Sequence, residues 1–140
     1  MNIQELEWKY VKKYSGKNLL GELEKESGLA LPESYKTMAE KHNGGRPNKR
    51  IFGSGDGALP LRSFLRVDET EDASSAAFAH ERVKKINNKL FPFADDSFGN
   101  YFCLFPSNDS SEPVVVFLDM ELEKMTELSE SFSSFMNSLS

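Results

Sequence analysis

Two apolar runs, residues 90–94 and 100–105, flank the polar stretch Asp95-Asp96-Ser97-Phe98-Gly99-Asn100, and this pattern constrains the fold more than any other in the chain. Asp and Asn bond their own backbone in tight bends, and Gly enters conformations closed to other residues. The polar stretch therefore predicts a turn, and the runs beside it predict the two strands of a hairpin with a longer loop. From Arg50 onward the chain keeps this texture, with short apolar segments separated by Gly, Pro and acidic residues. Further strands are expected over residues 50–53, 62–67 and 113–119, with a polar turn at 107–112. Between the second and third of the five strands, residues 71–89 place Ala76, Ala79, Val83 and Ile86 at helical spacing, which predicts a crossover helix.

The first fifty residues read differently. Ile3, Leu6, Tyr10 and Tyr14 recur at steps of three and four, predicting a helix over residues 2–14 that Ser15-Gly16 breaks. Leu19, Leu20 and Leu23 predict a short second helix ending near Ser27-Gly28. Pro32 suits the first turn of a third helix and Glu33 its positive end, with Tyr35, Met38 and Ala39 on the buried face. Asn43-Gly44-Gly45 ends that helix, because a left-handed residue costs Gly and Asn least. Phe132, Phe135, Met136 and Leu139 share one face of a last helix capped by Ser129 or Ser131. The expected class is α+β, in one domain over residues 1–140, a common size for a single core.

Charge alone does not decide the function, because scattered surface acids also serve simply to keep a domain soluble. The net charge is −5, but residues 1–50 carry ten Lys+Arg against seven Asp+Glu, whereas residues 51–140 carry seven against fifteen. An acidic surface repels phosphate backbones and attracts basic partners, so direct nucleic-acid binding is not expected. The single cysteine permits no internal disulfide. The charged first fourteen residues do not form a secretory signal, and no apolar run reaches membrane-spanning length, so a cytoplasmic location is expected.

The tests for chemistry return little. His42 and His80 have no acid or cysteine at ligand spacing along the sequence, which gives a metal site little support. Cys103 sits in the apolar run Tyr101 to Phe105, where a thiol behaves as a small hydrophobe. Gly53-Ser54-Gly55-Asp56-Gly57 lacks the Lys-Ser/Thr of a phosphate loop. Asp95-Asp96 lacks the oxygen spacing of a calcium loop, and Asn108-Asp109-Ser110 matches a glycosylation triplet that matters only in a secreted protein. No catalytic residue, metal or cofactor is expected.

The order of the segments resembles the SUKH superfamily, which groups bacterial toxin-immunity proteins with fungal cell-wall-assembly regulators of the Smi/Knr type. The resemblance begins at Leu31-Pro32-Glu33-Ser34-Tyr35, similar to the family's Leu-Pro-x-x-Tyr helix start, and continues into Asn43-Gly44-Gly45 with Pro47 after it. Phe91-Pro92-Phe93-Ala94-Asp95-Asp96-Ser97-Phe98-Gly99-Asn100 resembles the family's proline-phenylalanine-alanine segment and acidic turn, and Phe102-Cys103-Leu104 its returning strand. Val114 to Asp119 and Ser131-Phe132-Ser133-Ser134-Phe135 complete the pattern. Met120-Glu121 departs from it, since many relatives carry a histidine before the glutamate.

The resemblance implies a twisted, mainly antiparallel sheet flanked by helices, without catalysis or cofactor. It also implies an immunity protein that neutralises a polymorphic toxin, commonly a nuclease or deaminase, by binding it. A basic toxin encoded nearby is the expected partner, with Asp95, Asp96, Asn100, Asp119 and Glu121 as candidate contacts. An adaptor or regulator of the fungal type is the alternative. A hydrolase, with Asp95 or Asp96 beside His42 or His80, requires those groups to converge.

Overall fold

The structure, a computed structural model, describes residues 3–14, 17–68, 70, 72–109 and 112–140. The expectations placed on Ser15-Gly16, Glu71 and Ser110 fall outside them. In chain order the elements are β1 (Trp8–Lys9), α1 (Lys17–Ser27), α2 (Glu33–Lys41), β2 (Arg46–Pro47), β3 (Ile51–Phe52), β4 (Leu59–Pro60) and β5 (Ser63–Phe64). They continue with α3 (Ala76–Val83), β6 (Phe91–Asp95), β7 (Tyr101–Phe105), β8 (Val114–Asp119), β9 (Lys124–Ser129) and α4 (Phe132–Ser138). Strands β5 to β9 form an antiparallel sheet in sequence order, and β1-β2 and β3-β4 are separate two-stranded pairs. The class is α+β, as the sequence predicts.

Alternation along a strand puts neighbouring residues on opposite faces. On β7, Phe102 faces Phe135 of α4 while Tyr101 lies against α3, where the Arg82 Nη1 donates to its hydroxyl at 2.9 Å. Helices thus cover both faces. The larger core is aromatic: Tyr35 of α2 meets Phe91, Phe93 and Phe132 edge to face, and Phe135 meets Phe93 edge to face while stacking on Phe52. Such pairs add to the burial of large rings and tie the helices to the sheet. α4 begins at Ser131, whose Oγ accepts from Ser134 N–H at 3.1 Å, one of the two expected caps.

Asn43-Gly44-Gly45 does more than stop α2. The fully buried Asn43 accepts from Val67 N–H at 2.6 Å and donates through Nδ2 to the Lys13 carbonyl and to Asp68 Oδ2, each at 3.2 Å. One side chain thereby joins three distant stretches of backbone. Gly44 takes φ +66°, and a Cβ at Gly45 would stand 2.9 Å from the His42 carbonyl oxygen and 3.0 Å from the Trp8 ring. Glycine is needed there for the close approach of β1.

The helix expected over residues 2–14 does not form. Trp8–Lys9 pairs with Arg46–Pro47, Lys12 N–H donates to the Asn43 carbonyl, and Tyr10 has φ +62°. Ile3, Leu6, Trp8 and Tyr14 still lie against the core. An extended strap that dips repeatedly onto a core can mimic helical spacing, and here tertiary pairing decides the backbone. α3 is shorter than the expected 71–89 and joins antiparallel neighbours, so it is an excursion within a hairpin rather than a link between parallel strands. β9 was not expected at all.

Candidate partner-binding surface

The β6–β7 turn is built by Asp96. Its Oδ1 accepts from Phe98 N–H at 2.8 Å and Asn100 N–H at 2.9 Å, and its Oδ2 accepts from Asn100 Nδ2 at 3.0 Å. Gly99, at φ +86°, closes the bend. Asn100 Oδ1 then accepts from Met120 N–H at 3.0 Å, which ties this turn to the β8–β9 turn at the same end of the sheet. Asp95 points elsewhere, forming a two-pronged ion pair with Arg62 Nη2 at 2.5 Å and Nε at 3.2 Å. Both aspartates are only 5% exposed. Of the five candidate contacts, Asp95, Asp96 and Asn100 therefore use their polar atoms to shape and brace the hairpin.

Asp119 and Glu121 sit on the second turn, where Asp119 Oδ1 accepts from Leu122 N–H at 3.0 Å and Glu121 is exposed. What the sequence did not single out lies beside them. Phe98 and Leu122, on the two joined turns, are 79% and 69% exposed. Hydrophobic side chains this exposed on adjacent turns are a feature of contact surfaces.

From the second turn an acidic flange runs along β9. Residues 124–127 are exposed on both sides of the strand, and β9 is the sheet's edge, paired only with β8. Glu121 and Glu123 stand at its start, Glu127 along it and Glu130 at its end, with Lys124 the one cation on the strand. At the far end a groove of about 770 Å³ is lined by Asp109, Glu112, Glu127 and Glu130 together with Phe105, Val114 and Met125, and no Lys or Arg lines it among the described residues. A basic segment laid along this edge would meet carboxylates at its start, along it and at its end, with Lys124 the one opposing charge on the strand.

The other sequence candidates have structural placements. His42 stacks on Trp8, ring centroids 4.4 Å apart and nearly parallel, and burial followed by Lys41 lowers its pKa. Cys103 is fully buried, and burial pushes its thiol up. Gly55–Gly57 forms a single exposed 3-10 turn. Among the described residues, no hydrogen bond or ion pair joins either histidine to Asp95 or Asp96: His42 lies on Trp8, and the acid nearest His80 is Glu26. The pairing of Asp95 or Asp96 with His42 or His80 that the sequence raised is therefore not among the contacts of the described residues. No helix is long and apolar enough to cross a membrane among the described residues.

Comparison with known proteins adds one finding. The profile of the SMI1 / KNR4 family (SUKH-1) matches residues 17–138, from the start of α1 to the end of α4. No curated protein matches the chain.

Proposed function

The chain belongs to the SMI1 / KNR4 family (SUKH-1), and from that premise we propose that it is an immunity protein that binds and neutralises a basic, nuclease-type toxin encoded beside it. One observation carries the reading to a surface: an exposed acidic edge, from the β8–β9 turn along β9, leads away from two protruding apolar side chains, Leu122 on that turn and Phe98 on the β6–β7 turn tied to it. Phe98 and Leu122 supply anchors that lose water on contact, and Asp119, Glu121, Glu127 and Glu130 supply the field that steers a basic cleft onto them. Asp96 and Asn100 act one step back, holding the two turns in register, and Asp95 braces the hairpin through Arg62. The protein works by covering the toxin's phosphate-binding cleft, without chemistry of its own.

The test is co-expression with the neighbouring toxin gene, followed by association kinetics of the purified pair. Growth is restored and a stable complex forms. Glu127→Lys with Glu130→Lys slows association by roughly tenfold or more at low ionic strength and flattens its salt dependence, leaving the fold intact because both side chains are solvated. Absence of any complex with the neighbouring gene product, or binding to several unrelated proteins without rescue of growth, contradicts the proposal.

A further inference from the structure

His80 is the one histidine the fold encloses, and its surroundings are unusual for a core residue. The side chain is 2% exposed, and neither ring nitrogen has a hydrogen-bond partner among the described residues. Buried polar atoms almost always find partners, so two orphaned nitrogens on one ring require an explanation. Glu26, on the last turn of α1, brings Oε2 to 3.3 Å from Nδ1, close enough for an ion pair but in a geometry that is not a hydrogen bond. Glu81 follows on α3, and one ligand atom from each of the three residues lies within 4.8 Å of the others. A cavity of about 200 Å³ opens at Glu26 and His80, with Lys84 and Asn88 completing its lining.

We propose that Glu26, His80 and Glu81 form a divalent-metal site of the zinc class that pins α1 to α3. The separations fit. Tetrahedral zinc with bonds of about 2.0–2.2 Å sets its ligand atoms about 3.2–3.6 Å apart, and Glu26 and His80 already stand at that spacing. Glu81, an exposed side chain whose carboxylate already lies within 4.8 Å of the other two ligand atoms, closes onto the ion and leaves a fourth position for water. Coordination gives one orphaned nitrogen its partner. Two carboxylates and a neutral imidazole balance a 2+ ion, and the imidazole selects zinc over magnesium or calcium, which prefer oxygen alone. Lys84 now holds Glu81 at 2.8 Å. Its exposed ammonium is the competitor that the metal displaces.

The experiment uses the full chain stripped with a chelator, titrated with zinc chloride or magnesium chloride, and followed by calorimetry and thermal midpoint. One equivalent of zinc binds, the midpoint rises with zinc concentration as linkage requires, and magnesium has no effect. Glu26→Gln, at a position 56% exposed, folds normally and weakens zinc binding by roughly tenfold or more, whereas Lys84→Ala strengthens it. The ring resonances of His80 shift with zinc, and those of His42 do not. A flat midpoint, unchanged affinity in Glu26→Gln, or zinc shifts confined to His42 would each overturn the assignment.

Discussion

Tyr35→Phe should make the protein more stable, although it alters the tyrosine of the Leu-Pro-x-x-Tyr segment. Tyr35 is 1% exposed, and its hydroxyl is buried without a hydrogen-bond partner among the described residues. Leaving a hydroxyl dry and unpaired costs about 1–3 kcal/mol, and phenylalanine removes that cost. The ring keeps its edge-to-face contacts with Phe91 at 5.5 Å, Phe93 at 6.2 Å and Phe132 at 5.6 Å. The small void left by the missing oxygen takes back part of the gain, so the net change is about 1 kcal/mol in favour of the folded state. At this chain length that raises the thermal midpoint by about 4 °C. Chemical and thermal denaturation of the two proteins side by side is the assay, with Tyr35→Ala, which loses the ring and should cost about 3–5 kcal/mol, as the control.

A second signature follows from pH. Burial, with Tyr14 nearby, raises the Tyr35 pKa above its ordinary value of 10.0. The unfolded chain therefore ionises first, and wild-type stability falls as pH rises past 10 toward the raised folded value. Tyr35→Phe lacks this share of the loss. A lower midpoint for Tyr35→Phe, or identical alkaline behaviour, would falsify the claim that the hydroxyl is an unpaired burden.

Asn43→Ala removes three hydrogen bonds and leaves the buried Val67 N–H without its acceptor, which should cost about 2–4 kcal/mol and is read in urea denaturation. Trp8 is the only tryptophan, so its emission reports on His42: it should be quenched on acidification with a midpoint below 6.5, and His42→Gln should remove the transition. Because the folded pKa is depressed, the associated stability is present above 6.5 and lost as pH falls through the lowered value. Cys103 should resist an aromatic disulfide reagent at pH 8 in the native protein and react fully in denaturant; native reactivity would contradict its burial.

The legible parts of the fold are those whose signal is local. The β6–β7 turn follows from Asp96, Gly99 and Asn100 acting within a few residues of one another, and α4 from a serine cap followed by Phe132, Phe135 and Met136. The N-terminal strap misled because apolar spacing reports where side chains go, not how the backbone between them is arranged. β9 was invisible because Lys124 to Glu127 are exposed on both faces, which erases the alternation that marks a half-buried strand. Of the candidate contacts, Asp119 and Glu121 were legible as acids at and just beyond the end of an expected strand, but the turn they occupy was not. The exposure of Phe98 and Leu122 was not, since an apolar residue in a sequence is expected inside. The grouping of Glu26 with His80 depends on α1 packing beside α3, which no spacing within either helix encodes.

The two ends of the chain are sewn together. Gln4 Nε2 donates to the carbonyls of Met136 and Leu139 at 2.8 and 3.1 Å, its backbone N–H donates to Asn137 Oδ1, and Ser140 exchanges backbone hydrogen bonds with Ile51. Contacts between residues so remote in sequence form late, because the intervening loop must close before they contribute. Residues 136–140 must therefore emerge from the ribosome before the N-terminal strap and the β3 strand can complete their docking.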